Sequence, residues 1–225
     1  MDERGERDIF SDVAQRYDRV SRALTAGLDN VWRTRAVEEA SGYRRAKVLD
    51  IATGTGTVAI MLARRYDNYD ITGIDVNREM LSVARKKSER LGNINYLEGD
   101  VESLKLPTNS YDIVIAAFAL GEFEDLDRAL EQMHRVLKRN GKLILLDINK
   151  SRSHTLSWLM HFYRFFSLNL ALDSRMRREV ESYVNSSAAE ADKELVLQLL
   201  KLRGFRNLKS KELSFRAVFV ITANK

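Results

Sequence analysis

The residues with the clearest chemical use lie in one run, Asp50-Ile-Ala52-Thr-Gly54-Thr55-Gly56-Thr57. Glycines at 54 and 56 let a backbone turn sharply and approach a ligand with no Cβ in the way. The pattern is D-x-x-x-G-x-G. Ala59 breaks the full G-x-G-x-x-G of dinucleotide binders, and no Gly-Lys-Ser/Thr follows, so a Walker-type phosphate loop is set aside. Further on, Gly73-Ile-Asp75-Val76 offers a carboxylate able to accept from both hydroxyls of a ribose. Glu98-Gly-Asp100-Val101 offers a second, suited to an exocyclic amino group such as that of adenine. Ala116-Ala117-Phe118 places small side chains where a bound nucleoside needs room. Each feature has a plainer reading: a tight strand-to-helix turn, or a helix cap at Asp75. Their agreement favours a nucleoside site.

The elements that must carry these residues alternate between two periods. Residues 47–52 form an apolar run ending at the glycine turn and read as a buried strand, with a helix over 58–66. Strands follow at 69–76, 94–98, 111–118 and 142–148. A helix over 77–91 is one that Asn77 can cap. Another is stopped by Asn140-Gly141 and has Leu126, Ala129, Leu130, Met133, Val136 and Leu137 on one face. Near-continuous apolar strands between amphipathic helices imply a parallel sheet covered on both faces, with ligands at the carboxyl ends of its strands. Residues 8–41 read as helical with a polar break near 27–30, 154–184 as two helical stretches, and 187–203 as an amphipathic helix. Residues 207–213 and 216–223 read as two closing strands with almost no turn chemistry between them.

The chain has 225 residues, 44% hydrophobic and 31% charged, which suits one well-filled unit. Without cysteine, disulfides, thiolate metal sites and cysteine nucleophiles are excluded, and no metal site is expected. The opening MDERGERDIF carries charges where a secretory leader needs an apolar stretch, so a cytoplasmic location is expected. The most apolar stretch, 156–172, is too short for a membrane helix and contains Arg164, His161 and Asn169. The net charge of +5 raises the idea of nucleic acid or an anionic membrane, but the basic residues are scattered.

DIATGTG, GIDVNREML, EGDVESLKLPTNSYD and RVLKRNGKLILLD together resemble class I S-adenosylmethionine-dependent methyltransferases. More narrowly, the chain resembles the ubiquinone/menaquinone biosynthesis C-methyltransferases. FSDVAQRYDRVSRALTAGLDNVWR is similar to that family's opening signature, with its Tyr17-Asp18 and Trp32-Arg33 pairs, and Gly204-Phe205 before a last strand also fits. The resemblance implies a Rossmann-like α/β fold: a central, mostly parallel seven-stranded sheet, helices on both faces, and an antiparallel C-terminal strand. It implies S-adenosylmethionine as cofactor, with contacts from Ala52, Thr55, Asp75, Val76, Asp100, Val101 and Ala117. Gly54 and Gly56 would shape the methionine pocket, and Asp50 would support their turn. One domain over 1–225 follows: a helical cap (1–45), a cofactor-binding core (46–149), a helical substrate lid (150–186), and a C-terminal helix with closing strands (187–225).

Three positions depart from the quinone-enzyme pattern. Thr57 stands where an acidic residue commonly follows the glycine turn, and is left as a polar partner or helix cap. Phe118-Ala-Leu-Gly-Glu-Phe123 replaces a stretch that usually reads FGLRN, and the segment after Asn149 lacks the usual proline and glycine. The last two lie where the acceptor belongs. If that acceptor is a phenol or quinol carbon, a general base that takes a ring-hydroxyl proton makes the ring nucleophilic. Glu122, Tyr17 and His154 are the candidates; His161 is a weaker one, and His134 reads as structural. Trp158, Phe162, Tyr163, Phe165 and Phe166 read either as core or dimer packing, or as an apolar lid over a small lipophilic acceptor. Arg152, Arg164 and Arg175 nearby would meet a membrane surface peripherally. The alternative activity is N- or O-methylation of a phospholipid or small metabolite. RNA or protein methylation is disfavoured, since strand four lacks the Asn/Asp-Pro-Pro-aromatic turn used on base amino groups.

Overall fold

A computed structural model describes residues 18–19, 21–22, 25–149 and 191–225. In chain order the elements are α1 (Leu28–Glu39), β1 (Ala46–Ile51), α2 (Thr57–Arg65), β2 (Tyr69–Asp75), α3 (Arg78–Lys87), β3 (Ile94–Glu98), β4 (Tyr111–Ala117), α4 (Leu126–Val136), β5 (Leu137–Ile148), α5 (Lys193–Leu202), β6 (Arg206–Leu213) and β7 (Val218–Asn224). They build a seven-stranded sheet in the order β3-β2-β1-β4-β5-β7-β6. The first five strands run parallel; β7 is antiparallel to both β5 and β6. The expected α/β architecture is therefore present, and the order reverses direction at β1, with β2 on one side and β4 on the other.

Alternation along the strands sorts the core into two layers. Val48, Ile113, Ile144 and Leu146 turn to the face covered by α1, α2 and α3. Leu49, Val114, Leu143 and Leu145 turn to the face covered by α4 and α5. Every one of these side chains is fully buried. Each contributes roughly 1.5–3 kcal/mol of hydrophobic stabilisation, so the sheet is a rigid platform for whatever its carboxyl ends hold.

Caps fix where the helices start. Asn77 Oδ1 accepts from Met80 N at 2.9 Å, as its position suggested, and Asp125 Oδ1 accepts from Arg128 N at 3.0 Å. Asp192 Oδ1 takes the N–H groups of Glu194 and Leu195, so α5 begins later than the expected 187. Helix α4 ends at Val136, before Asn140-Gly141, because Leu137 is buried and already pairs with Tyr111 on β4. Asn140 then carries the positive φ of 62° in an irregular start to β5. The break ahead of α1 falls at Ala26–Gly27, both left-handed. Between β6 and β7, Ser214, Phe215 and Arg216 are all left-handed (φ 48°, 56°, 71°), a turn built without glycine and hence missed by turn chemistry.

Candidate active site

The glycine turn sits where β1 gives way to α2, at the carboxyl edge of the sheet. Ala52 leaves β1 with φ 49°, and Gly54 and Gly56 follow at 53° and 75°. These three positive values reverse the chain within a few residues. Asp50 braces the turn from beneath: Oδ2 accepts from Thr53 Oγ1 at 2.5 Å and from Ala59 N at 3.1 Å. The carboxyl is 1% exposed, and its Oδ1 has no hydrogen-bond partner. Burial pushes it up to about 7; the Thr53 and Ala59 bonds oppose that and the charge of Asp75 adds to it.

Asp75 ties the next strand to the same turn. Its Oδ2 accepts from Gly54 N at 2.7 Å and its Oδ1 from Asn77 N at 2.9 Å. Each carboxylate oxygen keeps a lone pair after one such bond, so ribose hydroxyls can still be accepted. Val76 beside it is 66% exposed, an apolar face next to the carboxylate. Among the described residues, no atom beyond its chain neighbours lies within 4 Å of where a Cβ on Gly54 would be. These residues fit an adenosine-bearing cofactor. Asp100 caps a short 3₁₀ turn, Val101–Ser103, through Glu102 N (2.8 Å) and Ser103 Oγ (3.1 Å); it is exposed, while Val101 is buried. Ala117 ends β4 half-buried, next to Phe118 with φ 59°. Asp50, Ala52, Gly54, Thr55, Gly56, Asp75, Val76 and Ala117 thus lie at the carboxyl ends of three adjacent strands, with Asp100 and Val101 following β3.

The acceptor-side candidates divide. Glu122 is exposed on a 3₁₀ turn, Leu120–Glu122, at the same edge of the sheet. Tyr17 and His154 lie outside the described residues, as do His161, the aromatic set and the three arginines placed with them. His134 packs edge-on against Phe205, with ring centroids 4.9 Å apart, and burial lowers its pKa. Thr57 is the first residue of α2 and a polar partner, not a cap: its Oγ1 lies 3.4 Å from Asp18 Oδ1 and 3.2 Å from Lys87 Nζ.

Sequence reasoning assigned no site role to several residues that shape this edge. Asp147, 5% exposed at the end of β5, accepts from Leu120 N at 2.8 Å and Ile148 N at 2.7 Å. It thereby fixes the turn that carries Glu122. Burial pushes its carboxyl up to about 7, opposed by the backbone bonds from Leu120, Ile148 and Ala119; the nearby Glu122 charge adds to the rise. The signal was a lone acid in the apolar run KLILLDI. On the other side, α1 walls the site. Trp32 tilts against Phe118 (6.2 Å) and donates Nε1–H to Ser214 Oγ at 2.8 Å, while the Arg33 guanidinium lies over the Phe118 ring at 4.8 Å. Arg33 also pairs with the buried Asp29 one turn earlier.

Comparison with known proteins agrees with this geometry. The family model described as the ubiE/COQ5 methyltransferase family matches residues 1–225. A demethylmenaquinone methyltransferase of Thermus thermophilus is 39% identical over 140 residues, 62% of this chain and 64% of that protein. The enzyme of the same name from Chlorobaculum tepidum is 31% identical over 225 residues, covering 97% of this chain and 91% of its own. A Thermotoga maritima crystal structure described as a S-adenosylmethionine-dependent methyltransferase, possibly a histamine N-methyltransferase, superposes with a TM-score of 0.68 over 97% of this chain and 99% of that one. At 20% identity it speaks to the fold alone. With its full length matched and its glycine turn, Asp75 and sheet order in place, the chain belongs to the ubiE/COQ5 methyltransferase family.

Proposed function

We propose that this chain is a cytoplasmic S-adenosylmethionine-dependent methyltransferase that methylates carbon of a lipophilic quinol-type acceptor in quinone biosynthesis. The observation that carries the reading is the joining of two signals across the sheet: the Asp75 carboxylate holds the Gly54 N–H, so a ribose acceptor and a glycine turn form one surface. When bound, the cofactor supplies a sulfonium methyl group open to in-line displacement. The chain's own part is to place the two reactants and keep water out. Gly54 lets the backbone come close to the cofactor and Gly56 lets the turn pack on Tyr96 and Ala84, with Ala52, Thr55, Val76, Asp100, Val101 and Ala117 as further contacts. Trp32 and Phe118 wall the acceptor side. Glu122 accepts the ring-hydroxyl proton, and Asp147 keeps its turn in place. Tyr17 and His154 remain in this proposal as alternative candidates for the general base.

Contact with an anionic bilayer surface belongs to the same proposal. Phe215 is 93% exposed beside the exposed Arg216, on the turn whose Ser214 is bonded to Trp32 of the site wall. Such a tip suits the interface from which a lipophilic acceptor is drawn. Among the described residues no helix is long and apolar enough to cross a membrane. A second reading, N- or O-methylation of a phospholipid or small metabolite, draws on the replacement of FGLRN by Phe118–Phe123.

The test is calorimetric titration with S-adenosylmethionine and S-adenosylhomocysteine on the wild type and Asp75→Ala, followed by methyl transfer to extracted quinols, phospholipids and RNA. Binding by the wild type, severely weakened in Asp75→Ala, with a carbon-methylated quinol as product, is expected. A folded wild type that binds neither ligand sinks the cofactor reading. A methylated phospholipid or RNA sinks the acceptor.

A further inference from the structure

The expected cofactor has two chemically different ends. Asp75, Val76, Asp100 and Val101 suit its nucleoside. Its amino-acid end carries an ammonium and a carboxylate, and the glycine turn brings little ionic chemistry to meet them. Thr57 is uncharged, and Asp50 is turned into the core beneath the turn. Apart from Lys87 at the end of α3, the charged groups over this end of the turn come from the chain ahead of β1.

Asp18 is the first of these. Its Oδ1 accepts from Thr55 Oγ1 at 2.6 Å, and its Oδ2 accepts from Lys87 Nζ at 2.6 Å. Lys87 Nζ also reaches Thr55 Oγ1 at 3.1 Å and Thr57 Oγ1 at 3.2 Å. Three acceptors therefore surround a group with three N–H donors: this corner of the turn already cradles an ammonium. Burial alone would raise the Asp18 carboxyl, but the bonds from Lys87 and Thr55 and the charges of Lys87 and Arg33 outweigh it, so the group is held ionised.

Arg33 is the second. It is 7% exposed and lies over the Phe118 ring beyond the end of β4. Among the described residues its hydrogen bond is to Asp29, through one terminal nitrogen. A guanidinium carries five N–H donors in a planar fork, and among the described residues one edge is left for a carboxylate. Phe118 follows β4, whose Ala116 pairs with Ile51 where β1 runs into the glycine turn, so the guanidinium sits at the same edge of the sheet as that turn.

We propose that Asp18 and Arg33 form the receptor for the zwitterionic end of the cofactor. Asp18, with the Thr55 hydroxyl, accepts from the α-ammonium and shares its carboxylate between that group and Lys87; Arg33 donates to the α-carboxylate. The carboxylate that the motif lacks at position 57 is thus supplied by a residue far earlier in the chain. The inference rests on the cofactor reading above but is separable from it.

The experiment is calorimetry with S-adenosylhomocysteine and with 5′-methylthioadenosine, which keeps the nucleoside and thioether but has no amino-acid end. Asp18→Asn and Arg33→Gln are each expected to weaken S-adenosylhomocysteine roughly 10- to 100-fold, the loss of a hydrogen bond to a charged group, and to leave methylthioadenosine within about twofold of wild type. Equal weakening of both ligands, or no weakening of either, would overturn the proposal, the first by showing a structural role. If Arg33→Gln does not fold, the wild type decides the carboxylate half. It must bind S-adenosylhomocysteine at least about tenfold more tightly than its decarboxylated analogue, and equal affinity refutes Arg33. Wild type that binds methylthioadenosine but gains nothing from the amino-acid end overturns this inference alone. Wild type that binds none of these ligands overturns the cofactor reading with it.

Discussion

Replacing Gly54 and Gly56 by alanine, one at a time, separates the two jobs of the turn. Both residues are left-handed, a conformation that costs an L-residue about 1–2 kcal/mol. Their surroundings differ. A Cβ on Gly56 would collide with Tyr96 Oη and lie 2.9 Å from Ala84 Cβ, whereas a Cβ on Gly54 meets nothing within 4 Å among the described residues. Tyr96 is itself buried, so it has little room to retreat, and overpacking of this kind adds about 1–3 kcal/mol. Gly56→Ala should therefore cost about 2–5 kcal/mol and Gly54→Ala about 1–2. In a chain of this size 1 kcal/mol moves Tm by roughly 2–4 °C. The first variant then loses on the order of 10 °C and the second a few degrees. Scanning calorimetry with and without S-adenosylhomocysteine reads both effects. Gly54→Ala, nearly as stable as wild type, should lose most of the ligand-induced rise in Tm, because its methyl group fills the space before the turn. The double variant Gly56→Ala/Tyr96→Phe should recover part of the lost stability. Equal Tm losses in the two single variants would refute the packing argument. A full ligand-induced rise in Gly54→Ala would refute the close approach of cofactor to backbone.

Stability should also depend on pH through the two buried aspartates. Asp50 and Asp147 stand at about 7 in the folded chain against an ordinary 3.8. A carboxyl whose folded pKa is raised binds protons better when folded, so its contribution is present below about pH 4 and is lost as pH rises towards 7. The loss is on the order of a few kcal/mol, and urea melts of wild type against Asp147→Asn should show a flatter dependence between pH 4 and 7 in the variant. Identical slopes would remove Asp147 from the account. Finally, Glu122→Gln should lower methyl transfer by roughly 10²- to 10⁴-fold, the range for loss of a general base, with S-adenosylhomocysteine affinity unchanged; turnover at the wild-type level would assign the proton to another group.

The sequence by itself was sufficient for features whose causes are local. The strands at β1 to β4 show as apolar runs because both faces of a parallel sheet are buried. The glycine turn shows because left-handed backbone at Gly54 and Gly56 favours that residue, and α3 because Asn77 caps it. Family resemblance added the cofactor and the mostly parallel seven-stranded sheet; the strand order came from the structure. What only the tertiary structure decided is which distant groups meet. Asp18 lies 37 positions from Thr55 and 69 from Lys87, yet the three share one hydrogen-bonded corner. Asp147 holds the turn bearing Glu122 from 27 positions away. Arg33 faces Phe118 only because α1 packs across the end of β4. The break between β6 and β7 was expected, but not what forms it: non-glycine residues hold left-handed backbone there, with Ser214 bonded to Trp32. The physical reason is common to all four. A charged or strained residue reveals its cost in the sequence, but the group that offsets that cost is chosen by the path of the chain.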